Sequence, residues 1–145
     1  MTPSMSLSLD RARTIVAAAR AAGRERDLKP LSVVVLDAGG HVVAFEREDG
    51  SSNKRFEVAF GKAHGALALG VGSRALMARA EQQPYFIAAV TAAIGNALVP
   101  VPGGVLVREG DTTIGAVGVS GDTSDNDELA AVAGIEAAGL RGIVD

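Results

Sequence analysis

Apolar residues near the start of the chain recur at helical spacing: Leu9, Ala12, Ile15, Val16, Ala19 and Ala22 fall on one face of a helix predicted over residues 9–26. Ser8 offers an N-cap side chain, and Asp10 suits the positive end of the helix dipole. The period then changes. Residues 31–37 are rich in valine, Ala38-Gly39-Gly40 has turn composition, and residues 41–46 are again apolar and β-prone, which predicts a hairpin. Asp49-Gly50-Ser51-Ser52 breaks the pattern. Phe56, Ala59, Phe60, Ala63 and Leu67 then return to helical spacing through Leu69, with Gly70 or Gly72 as the stop.

Residues 73–80 predict a short helix, and Pro84 opens a further one over residues 84–98, where Phe86, Val90, Ala93, Ile94 and Leu98 share a face. Pro100 and Pro102 end it. Residues 105–108 and 112–119 flank the turn Glu109-Gly110-Asp111 and predict a second hairpin. Ser124 followed by Asp127 resembles a capping box for a last helix over residues 125–138, closed by Gly139. Hairpins join antiparallel neighbours, so this order predicts an α+β fold: an antiparallel sheet of about five strands flanked by helices, in a single domain over residues 1–145.

Composition narrows the function classes. A 48% hydrophobic content fills one core, and 18 glycines with only 3% aromatic residues make that core one of small aliphatic side chains, poor in platforms for base stacking. A net charge of -3 without a basic run argues against nucleic acid and against an anionic membrane as partners. The lack of cysteine removes disulfides, thiol nucleophiles and thiolate metal sites, and it makes the cytoplasm the expected location. Residues 1–10 lack a leader pattern, and no apolar run reaches the roughly 18 to 20 residues of a membrane span.

The glycine-dense stretches at residues 99–106 and 114–121 are the first candidate site. Gly103, Gly104, Gly118 and Gly121, with Ser120, either admit a helix or second chain at close range or line a ligand cleft. They do not form a phosphate loop, because no Gly-Lys-Ser/Thr follows. His64 lies one turn after Phe60 on the flank of the apolar face, where it either enters a cleft or bonds to backbone half-buried. His41, beside a turn, reads as solvated. Asp122, Asp125, Asp127 and Glu128 depart from calcium-loop spacing and read as helix-capping acids. Lys54, Arg55 and Lys62 read as a solvated face, with Arg55 suited to hold a carboxylate in bidentate fashion. Tyr85 is either a packing residue or a phenol at a pocket.

Taken as an ordered set, residues 31–45, Lys62-Ala63, Ser73-Arg74-Ala75-Leu76, Pro102-Gly103-Gly104-Val105, residues 114–121 and Asp127-Glu128 resemble the GlcG/HbpS family. The resemblance implies an antiparallel sheet with flanking helices and a homo-oligomer, from dimer up to octamer. It also implies haem or another tetrapyrrole as ligand, with haem degradation in some members. In relatives fused to corrinoid adenosyltransferases a histidine on the first helix ligates the iron. Here residues 9–26 hold no histidine, methionine, tyrosine or cysteine, which leaves His64 or Tyr85 as axial group, Arg55 or Lys54 for a propionate, and Gly103, Gly104 and Gly118 to Gly121 as pocket lining.

The alternative is a cofactor-free catabolic lyase, isomerase or hydrolase for a small polar or aromatic metabolite. There, backbone N–H groups at Gly103-Gly104 or Ser120-Gly121 would stabilise an oxyanion while His64 or Glu128 moves a proton. A third reading is an accessory subunit of an enzyme encoded in the same catabolic operon.

Overall fold

The computed structural model describes residues 6–145, so the leader and one-domain readings fall partly outside the described residues. In chain order the elements are α1 (Leu9–Glu25), β1 (Ser32–Asp37), β2 (Val42–Arg47), α2 (Arg55–Leu69), α3 (Ser73–Gln82), α4 (Pro84–Ala93), β3 (Gly104–Glu109), β4 (Thr112–Ser120), α5 (Ser124–Ala137) and β5 (Arg141–Ile143). The strands make one open antiparallel sheet in the order β2-β1-β4-β3-β5. The fold is α+β, as the hairpin signals required.

Both faces of this sheet are covered. Val33 and Val35 of β1 point with Val105, Val107, Val117 and Val119 at Ile15, Ala19, Ala131 and Ile135 of α1 and α5. Val34 and Leu36 alternate to the other face, where Leu106 and Ala116 join them under Ala59, Ala63 and Ala66 of α2. A third apolar cluster, Leu76, Ile87 and Leu98, ties α3 and α4 together beyond α2. β1 shows no polar alternation because it is buried on both sides.

Several boundaries moved, each for a local reason. Thr123, not Ser124, caps α5, its hydroxyl accepting from the Asn126 N–H. α4 ends at Ala93 instead of 98, because Gly95 and Asn96 both take the left-handed conformation. β5, three residues long, is too short for alternation to reveal. Ser8 caps α1 as expected, and of the two expected stops for α2, Gly70 and Gly72, it is Gly70 that closes it.

The glycines of β3 and β4 set the height of α2. A Cβ on Gly118 would lie 2.0 Å from the Ala59 carbonyl oxygen, and one on Gly104 would lie 2.2 Å from that of Lys62. Helix backbone therefore rests on strand backbone. Gly118→Ala is expected to lower stability in urea unfolding by at least about 3 kcal/mol, since backbone must retreat from backbone; a loss below about 1 kcal/mol would mean that α2 has room to lift.

Candidate functional site

α2 carries the charged groups that the fold organises. Ala59, Ala63 and Ala66 face the sheet, and Lys62 shares that inner side. Instead of lying in solvent, Lys62 is 2% exposed and donates from Nζ to the Val119 carbonyl (2.9 Å) and to Asp127 Oδ2 (3.1 Å). Asp127 Oδ1 accepts from the Asp122 N–H at 2.9 Å. Burial pushes the Lys62 ammonium down from its ordinary range and the Asp127 carboxyl up, while each partner's charge opposes the shift. The acidic cluster thus divides. Asp127 is a core ion, whereas Asp125 and Glu128 grip Arg74, with Glu128 receiving Nε at 3.1 Å and Nη2 at 3.1 Å.

Arg55 sits half-buried at the start of α2. Its Nη1 donates to Ser120 Oγ (3.0 Å) and its Nε to Ser52 Oγ (3.2 Å). A cavity of about 200 Å³ opens beside it, walled by Lys29, Pro30, Gly50, Ser52, Arg55 and Gly121. The structure therefore brings together three expected site residues, Arg55, Ser120 and Gly121. Ser52, which orients the guanidinium, read only as part of a loop.

His64 lies on the opposite side of the helix: nine residues at about 100° and about 1.5 Å each give about half a turn and about 13 Å from Arg55. Its Nδ1 is 2.8 Å from the Ala97 carbonyl oxygen, which can only accept, so Nδ1 carries the proton and Nε2 keeps its lone pair. The ring stacks on Phe60 (centroids 5.3 Å apart), Phe60 stacks on Phe56, and Phe56 meets Phe45 edge-on. Beside it a shallow cavity of about 130 Å³ is formed with Gly39, Gly40, Leu67 and Ala68. The aromatic row at positions 56, 60 and 64 was present in the sequence as helical spacing, but Ala97 as its anchor was not. His41, 79% exposed at its side chain, contacts Asp37 through Nδ1 at 3.1 Å.

The other expected residues stand elsewhere. Gly103, Gly104 and Gly118 lie buried in the seam with α2 and do not line an open cleft: a Cβ on Gly103 would lie 2.8 Å from Lys62 Nζ, and the Gly104 N–H already donates to Ser73 Oγ at 2.7 Å. Tyr85, 70% exposed, opens α4. Glu128 borders a cavity of about 550 Å³ with Arg26, Arg74, Leu129, Val132 and Glu136, but Arg74 occupies its carboxylate. No cluster of three or more ligating side chains exists among the described residues, and none of their helices is long and apolar enough to cross a membrane.

This three-layer α+β fold thus presents a backbone-anchored imidazole on one flank of α2 and a hydroxyl-anchored guanidinium on the other. The chain belongs to the HbpS-like family, whose model, described as haem degrading protein HbpS-like, matches residues 7–136. It is similar in fold to Klebsiella pneumoniae protein ORFY (24% identity, 96% of this chain and 94% of that one, TM-score 0.85). It is likewise similar to PduOC, solved as a haem complex (23% identity, 97% and 99% covered, TM-score 0.84). The third is HbpS, with 29% identity over 92% of this chain and 91% of that one, at a TM-score of 0.78. No curated protein sequence matches this chain.

Two outcomes follow from the ionic geometry. Lys62→Met leaves Asp127 buried and uncompensated and is expected to cost about 3–5 kcal/mol, while adding Asp127→Asn recovers a substantial part; additive losses in this double-mutant cycle would mean the pair is uncoupled. Asn126 foremost, then the Lys29 and Thr123 N–H groups, hold the Asp122 carboxyl down at about 2. Because its folded value lies below the unfolded one, this stabilisation is full above about pH 4 and is lost as pH falls towards 2, and Asp122→Ala should flatten acid unfolding over that window.

Proposed function

We propose that this protein binds haem at the edge where α2 meets the β1–β2 turn, where His64 Nε2 would hold the iron. The observation that carries this reading is the Nδ1–H bond from His64 to the Ala97 carbonyl, because metal-binding imidazoles are characteristically oriented by such a second bond, which also raises the basicity of the ligating nitrogen. The donor set fits: α1 carries no histidine, methionine, tyrosine or cysteine, whereas His64 presents one nitrogen beside two glycines that leave space in front of it. Phe60 fixes the ring plane from behind. When bound, haem would bring redox-capable iron to the site.

The size of the cavity bears on how the group is held. About 130 Å³ is well below the roughly 300–1,000 Å³ of an enclosing ligand pocket, so a single subunit covers only one edge of a macrocycle. This supports binding by assembled copies of the chain. The cofactor-free catabolic reading finds less support, since the Gly104 N–H is committed to Ser73 and Glu128 is held by Arg74.

Hemin titration followed at the Soret band tests the proposal, with size-exclusion chromatography alongside. A saturable shift is expected in the unmodified protein and in His41→Ala, with affinity at least about tenfold weaker in His64→Ala. An unchanged titration in His64→Ala, or a loss confined to His41→Ala, overturns the assignment.

A further inference from the structure

We propose that the cavity at the N-terminal end of α2 binds the carboxylate of a small organic acid through Arg55, Ser52 and Lys29, and that this site is separate from the one at His64. Arg20, Arg24 and Arg74 are each met by carboxylates, but no ion pair reaches Arg55 among the described residues. Two of its donors are spent on Ser52 Oγ and Ser120 Oγ, which fix the plane of the guanidinium and leave Nη2 without a hydrogen-bond partner among the described residues. An oriented guanidinium with unused N–H groups is matched to a carboxylate.

The wall completes the chemistry. Ser52 Oγ accepts from Arg55, so its own O–H remains a donor for a ligand. Lys29 adds a second cation, whose charge also acts on Asp122. No acid lines the cavity, although the chain carries a net charge of -3. Its volume of about 200 Å³ suits an acid of a few heavy atoms and falls short of the roughly 300–1,000 Å³ of pockets for larger ligands. Lys62, buried under the same side of α2, is neutralised by Asp127, so the guanidinium of Arg55 is the cation facing the cavity that no carboxylate pairs among the described residues. The half-turn between Arg55 and His64 keeps one small ligand from touching both.

Calorimetric titration with acetate, succinate and benzoate, against acetamide, benzamide and inorganic phosphate, tests the site. At least one carboxylate should saturate it while the amides do not. Arg55→Gln should weaken that binding about tenfold or more, Arg55→Lys should weaken it too because the fork is lost, and His64→Ala should leave it unchanged. Should Arg55→Gln fail to fold, Lys29→Gln decides, with a loss of about threefold expected at a single point charge. Equal binding of amides, binding of phosphate alone, affinity unchanged in the variant that folds, or a loss of hemin affinity in place of acid affinity each overturns the proposal. Because hemin and the acids are titrated separately, failure here leaves the His64 assignment standing, and failure there leaves this one.

Discussion

The structure depends on how closely α2 is pressed onto the sheet. With hydrogen in place of Cβ at Gly104 and Gly118, helix carbonyls approach strand backbone at distances no other residue would allow. That approach leaves no solvent layer beneath the helix, and so a lysine on the inner face cannot reach water. Its charge has to be met inside, and Asp127 meets it from the first turn of α5. Removing ions from water is expensive, and the arrangement holds because both ions gain further hydrogen bonds: Val119 takes a second ammonium proton, and Asp122 gives its N–H to the other carboxylate oxygen. The result ties together α2, the end of β4 and the start of α5.

Fixing α2 in height and rotation also fixes what its two flanks can do. The flank towards Ser120 and the residue 50–52 loop receives Arg55, whose orientation is set by hydroxyls on both of those segments. The other flank carries Phe56, Phe60 and His64 past Phe45 to the Gly39–Gly40 turn. One helix therefore separates a cationic recess from an aromatic edge. The partition follows from residue spacing once the inward face is known.

Much of this was legible in the chain, and the gaps have physical causes. Long periodic segments gave α1 and α2 nearly to the residue, because their apolar faces are wide and their caps, Ser8 and Gly70, have strong local preferences. The glycines at 104 and 118 were read as either close approach or ligand lining, and only coordinates distinguish a strand under a helix from one under a ligand. Lys62 was misplaced because its charge outweighed its position. Ala59, Lys62, Ala63 and Ala66 are spaced three, four and seven apart, an inward signature that a lysine obscures. The Ala97 carbonyl lies thirty-three residues from His64, and a backbone acceptor leaves no mark in the sequence. Arg55, Ser120 and Gly121 were found separately, and topology joined them.

The absence of a ligand on α1 is consistent with what that helix does. Its inward residues, Ala12, Ile15, Val16 and Ala19, are buried against α5 and the sheet, and Gly134 lets α5 approach so closely that a Cβ there would lie 2.5 Å from the Ile15 carbonyl oxygen. A histidine on that inner surface would need a cavity that close packing denies it. On the outer surface Arg11 pairs with Glu109, and Arg20 and Arg24 pair with Glu48. α2 is different, because its flank beside the Gly39–Gly40 turn is neither packed shut nor charged, and the imidazole there is already held by a carbonyl. Within the same fold as its haem-complexed neighbour, this chain offers its one backbone-anchored imidazole on α2.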